Sequence, residues 1–144
     1  MFLGEYRHSL DAKGRVTLPA RFRDELADGA YMAKAMTDPC LYVYTAGEFE
    51  EVARATRETM REGNRAAQEA ARSFFAGATE LEPDKQGRVA IPPQLRSFAG
   101  LDKDVVVAGV FARIEIWDAA AWDEREARAE AASASADDLH GFAQ

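Results

Sequence analysis

A chain of 144 residues, 47% hydrophobic and 30% charged, has the size of one ordinary soluble domain, or of two small units that each bury too little apolar surface to stand alone. A formal net charge of -7 argues against a uniformly basic nucleic-acid binder, and no apolar run approaches the ~20 residues needed to cross a bilayer. The start, Met-Phe-Leu-Gly-Glu-Tyr-Arg, lacks the parts of a secretory signal, so a cytoplasmic protein is expected, and the single Cys40 reads as a small semi-buried apolar residue rather than a disulfide or zinc partner.

Gly4 to Leu10 sets Tyr6, His8 and Leu10 on one face and Arg7 and Ser9 on the other, as in a half-exposed strand. Asp11-Ala-Lys-Gly then offers turn chemistry, and Arg15 to Leu18 resumes as a strand, so the stretch predicts a β-hairpin. If the strand period extends back to Lys13, Lys13 and Arg15 project on the same side, about 6 to 7 Å apart. Pro19 suits the first position of a short helix, Ala20 to Ala27, which the Asp28-Gly29 pair stops. Strands follow at Tyr31 to Met36 and Leu41 to Tyr44, with Pro39 marking the turn between them.

Thr45-Ala-Gly-Glu opens a longer helix as a capping box, with Tyr44 and Phe49 placed for a hydrophobic staple. Residues 48–78 are rich in Ala, Glu and Arg, and Gly63-Asn64 is positioned to divide them into two helices. Phe74 and Phe75 are expected to pack against a sheet. A brief strand around Leu81, a turn from Pro83 to Gly87, a strand from Arg88 to Ile91 and a short helix to Ala99 come next. Val105 to Val110 and Ala112 to Trp117 read as a strand pair, Ala119 to Ala132 as a helix, and the polar, acidic end beyond Ser133 as a loose tail.

The second series repeats the first. Asp11 to Arg23 and Asp84 to Arg96 align at an offset of 73, pairing Asp11 with Asp84, Gly14 with Gly87, Arg15 with Arg88, Val16 with Val89, Pro19 with Pro92 and Arg23 with Arg96. At the same offset Trp117, Asp118 and Trp122 replace Tyr44, Thr45 and Phe49, so the N-cap and staple recur. Such repetition decides the architecture. The expected organisation is a first repeat over 1–52, a helical connection over 53–78, a second repeat over 79–125, and the helix end and acidic tail over 126–144.

Charge is distributed along these divisions. Residues 1–23 sum to plus 3 and 83–114 to plus 2, whereas 24–47 and 48–82 each sum to minus 3 and 115–144 to minus 6. The two positive segments are those with the repeated motif. With a Debye length of ~8 Å at physiological salt, such a patch can act while distant acidic surface is screened.

Catalysis finds no constellation. His8 and His140 have no partner at metal-ligand spacing, there is no Gly-x-Ser-x-Gly elbow, and Lys13-Gly14-Arg15 lacks the glycine-rich lead and hydroxyl residue of a P-loop. No enzyme, metal, cofactor or small-molecule ligand is implied. The repeated Gly-Arg pair is the better candidate. Arg15 and Arg88 can fork onto the O6 and N7 edge of guanine, and Lys13 suits phosphate as a point charge. Pairing of these arginines with the repeated acid is the competing reading. For Arg23 and Arg96 both readings stay open: an ion pair with Asp11 and Asp84, or a contact to DNA. Gly14, Gly87, Pro19 and Pro92 are backbone devices that shape the site. Gln86 stands where the first copy has Lys13, and strand alternation would turn Lys85 the other way, so the first hairpin is expected to contribute more affinity. Arg7 and Arg21 are the neighbouring cations grouped with the DNA-binding set.

The pattern Asp-x-Lys-Gly-Arg, three residues, Pro, three residues, Arg, with its second copy, resembles the MraZ family of bacterial transcriptional regulators, as do the Met-Phe-Leu-Gly-Glu-Tyr opening and Ile114-Glu-Ile-Trp-Asp118. The resemblance covers nearly the whole chain. It implies an α+β fold of tandem AbrB-like swapped-hairpin β-barrel units with connecting and C-terminal helices, the two halves interleaving their hairpins. It also implies binding to double-stranded DNA at short direct repeats of a promoter in the division and cell-wall gene cluster, and nucleoid association. Several chains are expected to close into a homo-oligomeric ring. An antitoxin-type repressor of the same hairpin class and a protein-interaction scaffold using the acidic helices are the alternatives.

Overall fold

The computed structural model describes residues 1–61 and 63–134. Its elements, in order, are β1 (Phe2–Ser9), β2 (Arg15–Thr17), α1 (Ala20–Glu25), β3 (Ala30–Lys34), β4 (Leu41–Thr45), α2 (Ala46–Arg61), α3 (Arg65–Ala76), β5 (Thr79–Leu81), β6 (Arg88–Ala90), α4 (Pro93–Phe98), β7 (Asp104–Phe111), β8 (Arg113–Asp118) and α5 (Ala119–Ser133). The chain is α+β. The expected acidic tail, with His140, lies outside the described residues, and no helix among those described is long and apolar enough to cross a membrane.

Local chemistry accounts for the helix boundaries. Thr45 Oγ1 accepts the Glu48 N–H at 3.1 Å and Asp118 Oδ2 accepts the Ala121 N–H at 3.1 Å, so both repeats open their long helix with a side-chain cap. The staples form as well: Tyr44 and Phe49 have ring centroids 5.9 Å apart, and Trp117 and Trp122 5.7 Å. Gly63, at φ 73°, ends the turn after α2, and Asn64 caps α3 by accepting the Ala67 N–H at 3.1 Å. Pro19 and Pro92 stand one residue before α1 and α4 rather than inside them, with Pro93 taking the first helical position of α4.

Six strands form one antiparallel sheet in the order β1-β7-β8-β4-β3-β5, and β2 and β6 form a separate two-stranded ribbon. The order is a palindrome of equivalent strands, since β1 corresponds to β5, β7 to β3 and β8 to β4. Register shows the same pseudo-two-fold. In the sheet Leu41 pairs with Ile116, Tyr42 with Glu115 and Val43 with Ile114, so the axis passes at the equivalent residues Tyr42 and Glu115. In the ribbon Arg15 pairs with Ala90, Val16 with Val89 and Thr17 with Arg88, so the axis passes at Val16 and Val89.

These pairings correct the expected local hairpin. The turn forms, because the Asp11 N–H donates to the Arg15 carbonyl at 2.9 Å, but β1 takes its ladder from β7 and β2 from β6. Each strand thereby finds its partner in the other repeat. β2 is only three residues long, and the Leu18 N–H extends its ladder to the Gly87 carbonyl, as the Ile91 N–H does to Gly14, both in the opposite copy.

The sheet is buried on both faces, which explains the nearly continuous apolar runs of β4 and β7. On one side Met32, Leu41, Val43, Val105, Val107, Ile114 and Ile116 pack against Val16, Leu18, Val89 and Ile91 of the ribbon segment and against Phe22 and Leu95 of α1 and α4. On the other, Ala33, Tyr42, Tyr44, Val106, Ala108 and Trp117 meet Phe74 of α3 and Trp122 of α5, with Phe49 and Phe75 alongside. Three layers result: ribbon with short helices, sheet, and long helices.

Candidate nucleic-acid interface

The two motif turns have the same construction. In the first, Asp11 Oδ1 accepts the N–H groups of Lys13 and Arg15, each at 2.9 Å, while Asp11 Oδ2 takes Arg15 Nε at 2.7 Å. In the second, Asp84 Oδ1 accepts from the Gln86 and Arg88 N–H groups at 2.9 Å, and Asp84 Oδ2 takes Arg88 Nε at 2.7 Å. The Gly14 and Gly87 N–H groups close the turns onto the Asp11 and Asp84 carbonyls. Both carboxyls are held below their ordinary range, first by the arginine backbone N–H and then, against some desolvation, by the arginine side chain and the remaining turn N–H.

The arginine-acid pair is thus present, and it engages Nε rather than the terminal nitrogens of the arginine. Among the described residues no hydrogen bond engages the terminal nitrogens of Arg15 or Arg88, whose side chains are 27% and 34% exposed. Nε is tied down and the terminal fork is presented. Because Val16 and Val89 are buried, the residues beside them in the ribbon, Arg15, Thr17, Arg88 and Ala90, share the outward face. Arg15 and Arg88 are diagonal neighbours across it, roughly 7–8 Å apart at the backbone.

Neither Arg23 nor Arg96 pairs with Asp11 or Asp84, whose side chains are spent within their own turns. Each crosses instead to the opposite repeat. A methyl carbon built at Gly14 would lie 2.6 Å from Arg96 Cζ, and one at Gly87 2.6 Å from Arg23 Cζ. Both glycines also have positive φ, 75° and 78°. The repeated glycine therefore serves two ends: it takes a left-handed backbone, and it leaves room for the guanidinium of the other copy.

Lys13 lies in the turn ahead of β2, so the strand-face argument that placed it with Arg15 does not hold; the same is true of Lys85 and Gln86 ahead of β6. Each exposed turn carries one lysine, Lys13 in the first and Lys85 in the second. The turn context of Lys85, visible in Pro83 to Gly87, gives it the same placement as Lys13. Thr17 also lies on the outward ribbon face, a placement that only the β2–β6 ladder reveals. Arg21 is exposed on α1 beside this surface. Arg7 does not join it. Its register partner is Val106, whose side chain belongs to the helix-covered face, and Arg7 Nη2 binds Asp123 of α5 at 2.7 Å and Glu5 at 3.2 Å.

The layers sort charge. Residues 11–25 and 84–98, which hold the turns, ribbon and short helices, carry a net charge of plus 3, whereas α2, α3 and α5 together carry minus 2. A protein of this class is built from two equivalent repeats that share one sheet and bring their cationic turns to a common ribbon. The family model described as "MraZ protein, putative antitoxin-like" matches residues 1–71 and 74–142, and the chain belongs to the MraZ family. Relatives carrying the name "Transcriptional regulator MraZ" include one from Paenarthrobacter aurescens (strain TC1), 46% identical over 147 residues and covering 99% of each chain. Others are from Salinispora arenicola (strain CNS-205), 48% identical with 90% of each chain covered, and Desulforamulus reducens (strain ATCC BAA-1160 / DSM 100696 / MI-1), 46% identical with 91% covered.

Proposed function

We propose that this protein is a sequence-specific DNA-binding transcriptional regulator that reads double-stranded DNA with the β2–β6 ribbon and its two turns. The observation that carries this reading is the pair of arginine forks on one outward ribbon face, each fixed at Nε by the aspartate of its own turn. A two-stranded ribbon fits the B-DNA major groove, and a preset fork matches the O6 and N7 acceptors of guanine. The backbone separation of Arg15 and Arg88, roughly 7–8 Å, corresponds to about two base-pair steps of 3.4 Å. Lys13 and Lys85 at the turns, with Arg21, are suited to phosphate, while Gln86, Gly14 and Gly87 shape or line the tips. The relatives' shared name supports the regulatory role, and the exchange of ladder partners between repeats supports an AbrB-like swapped-hairpin kinship.

Two forks supply limited specificity, since one good bidentate contact discriminates by roughly 1–3 kcal/mol. Assembly supplies the remainder. In this reading several chains form a closed homo-oligomeric ring over direct repeats upstream of the division and cell-wall gene cluster, and linkage raises affinity by about 10² to 10⁴ when the repeats match the subunit spacing. The test is an equilibrium titration of wild type and Arg15→Ala against DNA from upstream of the protein's own gene and against a scrambled duplex, at several salt concentrations. Wild type is expected to prefer its own DNA, with affinity falling as salt rises, and Arg15→Ala to lose about 10-fold or more of that preference. Equal affinity for both duplexes would end the sequence-specific reading, and indifference to salt would end phosphate binding.

A further inference from the structure

The geometry points to Arg23 and Arg96 as crossed positioning residues: each sets the DNA-reading turn of the opposite repeat. This rests on the reading of the ribbon as the DNA-binding element.

Four observations lead to it. The guanidinium of Arg96 lies over Gly14 and that of Arg23 over Gly87, at a spacing that a single methyl group would close. The contact is reciprocal under the pseudo-two-fold, and both arginines are half-buried rather than extended into solvent. Arg23 Nε is buried without a hydrogen-bond partner, a cost that an arginine free to reach water would avoid. Gly14 and Gly87 each precede the fork-bearing arginine, and their carbonyls accept the ribbon-end N–H groups of Ile91 and Leu18 at 3.0 and 2.9 Å.

An arginine side chain packed against such a glycine restricts the turn from outside, while the aspartate closes it from within. Arg96 thus completes the turn that presents Lys13 and Arg15, and Arg23 completes the turn that presents Gln86 and Arg88. Neither repeat holds a finished DNA-reading turn by itself. The repeated Arg, nine residues after the repeated Gly, then acts between copies: the motif of one repeat is read together with the glycine of the other.

The crossing can be measured as coupling. Arg96→Ala is combined separately with Arg15→Ala and with Arg88→Ala, and affinity for DNA from upstream of the gene is measured over a salt series. Arg96→Ala is expected to weaken binding about 10-fold with the salt slope unchanged. Its loss is expected to overlap with that of Arg15→Ala, so that the double variant falls well short of the product of the two, and to multiply with that of Arg88→Ala; Arg23→Ala should show the mirror pattern. Arg96→Lys, which keeps the charge without the planar group, should not restore affinity. A direct phosphate contact by Arg96 would instead lower the slope by about 0.9 and be rescued by lysine, and that result overturns the inference, as does coupling within the arginine's own repeat or full binding by Arg96→Ala.

If Arg96→Ala fails to fold, Arg96→Gln carries the same comparisons. A wild-type protein that binds no DNA overturns the functional reading and this inference together. Wild-type binding without crossed coupling overturns this inference alone.

Discussion

At the scale of single residues, Asp11 and Asp84 explain why an acid stands beside the cations of the repeated motif. Each accepts two backbone N–H groups and one Nε, so its negative charge is used to hold a turn and aim a cation. The consequence for pH follows from the sign of the shift. Both carboxyls titrate in the folded state below the ordinary 3.8. Their contribution to the turns is therefore complete above that value and is lost as pH falls through the lower folded midpoints. Carboxyl-carbon NMR titration of the native protein is expected to give both midpoints below 3.8, with the Gly14 and Gly87 amides moving over the same interval. Midpoints at or above the ordinary value would mean that the aspartates do not hold the turns. The pairing of Arg15 and Arg88 with the repeated aspartate was among the readings the sequence allowed, and it forms. The destination of Arg23 and Arg96 was not legible, because nothing in a single repeat reveals that its arginine meets the other repeat's glycine.

At the scale of elements, the helices were the more legible part. Caps and staples act within a few residues, so Thr45, Asp118 and Asn64 announce helix starts by chemistry that needs no tertiary context. Replacing Asp118 with Ala leaves the Ala121 N–H without its cap and should cost about 1 kcal/mol of stability. Urea denaturation checks this, the expected result being a lower midpoint at unchanged slope; an unchanged midpoint would show that water replaces the cap. Consecutive strands such as β7 and β8 were legible as a pair, but the pairs formed between repeats were not. β1 and β2 flank a good turn, and local reasoning closed them into a hairpin, yet a three-residue β2 can extend its ladder only through the opposite repeat. The same limitation misplaced Lys13 and Lys85, since a side-chain face was inferred from a strand period that starts only at Arg15 and Arg88.

At the scale of the whole molecule, a chain of net charge -7 can serve as a DNA binder because its layers separate charge. The sheet, buried on both faces, stands between a cationic ribbon and net-acidic helices, and at physiological salt the far side is largely screened over a Debye length of ~8 Å. The 73-residue offset had indicated two related units, while the palindromic strand order shows how they combine: one sheet and one ribbon, each centred on equivalent residues. The β2–β6 ribbon is the proposed DNA-reading element. Hydrogen–deuterium exchange of the full-length protein, with and without duplex DNA from upstream of its gene, tests it most directly. Protection confined to peptides spanning 11–23 and 84–96, with α2, α3 and α5 unchanged at the same labelling times, is the predicted result; protection of those helices with the two turns unaffected would contradict it.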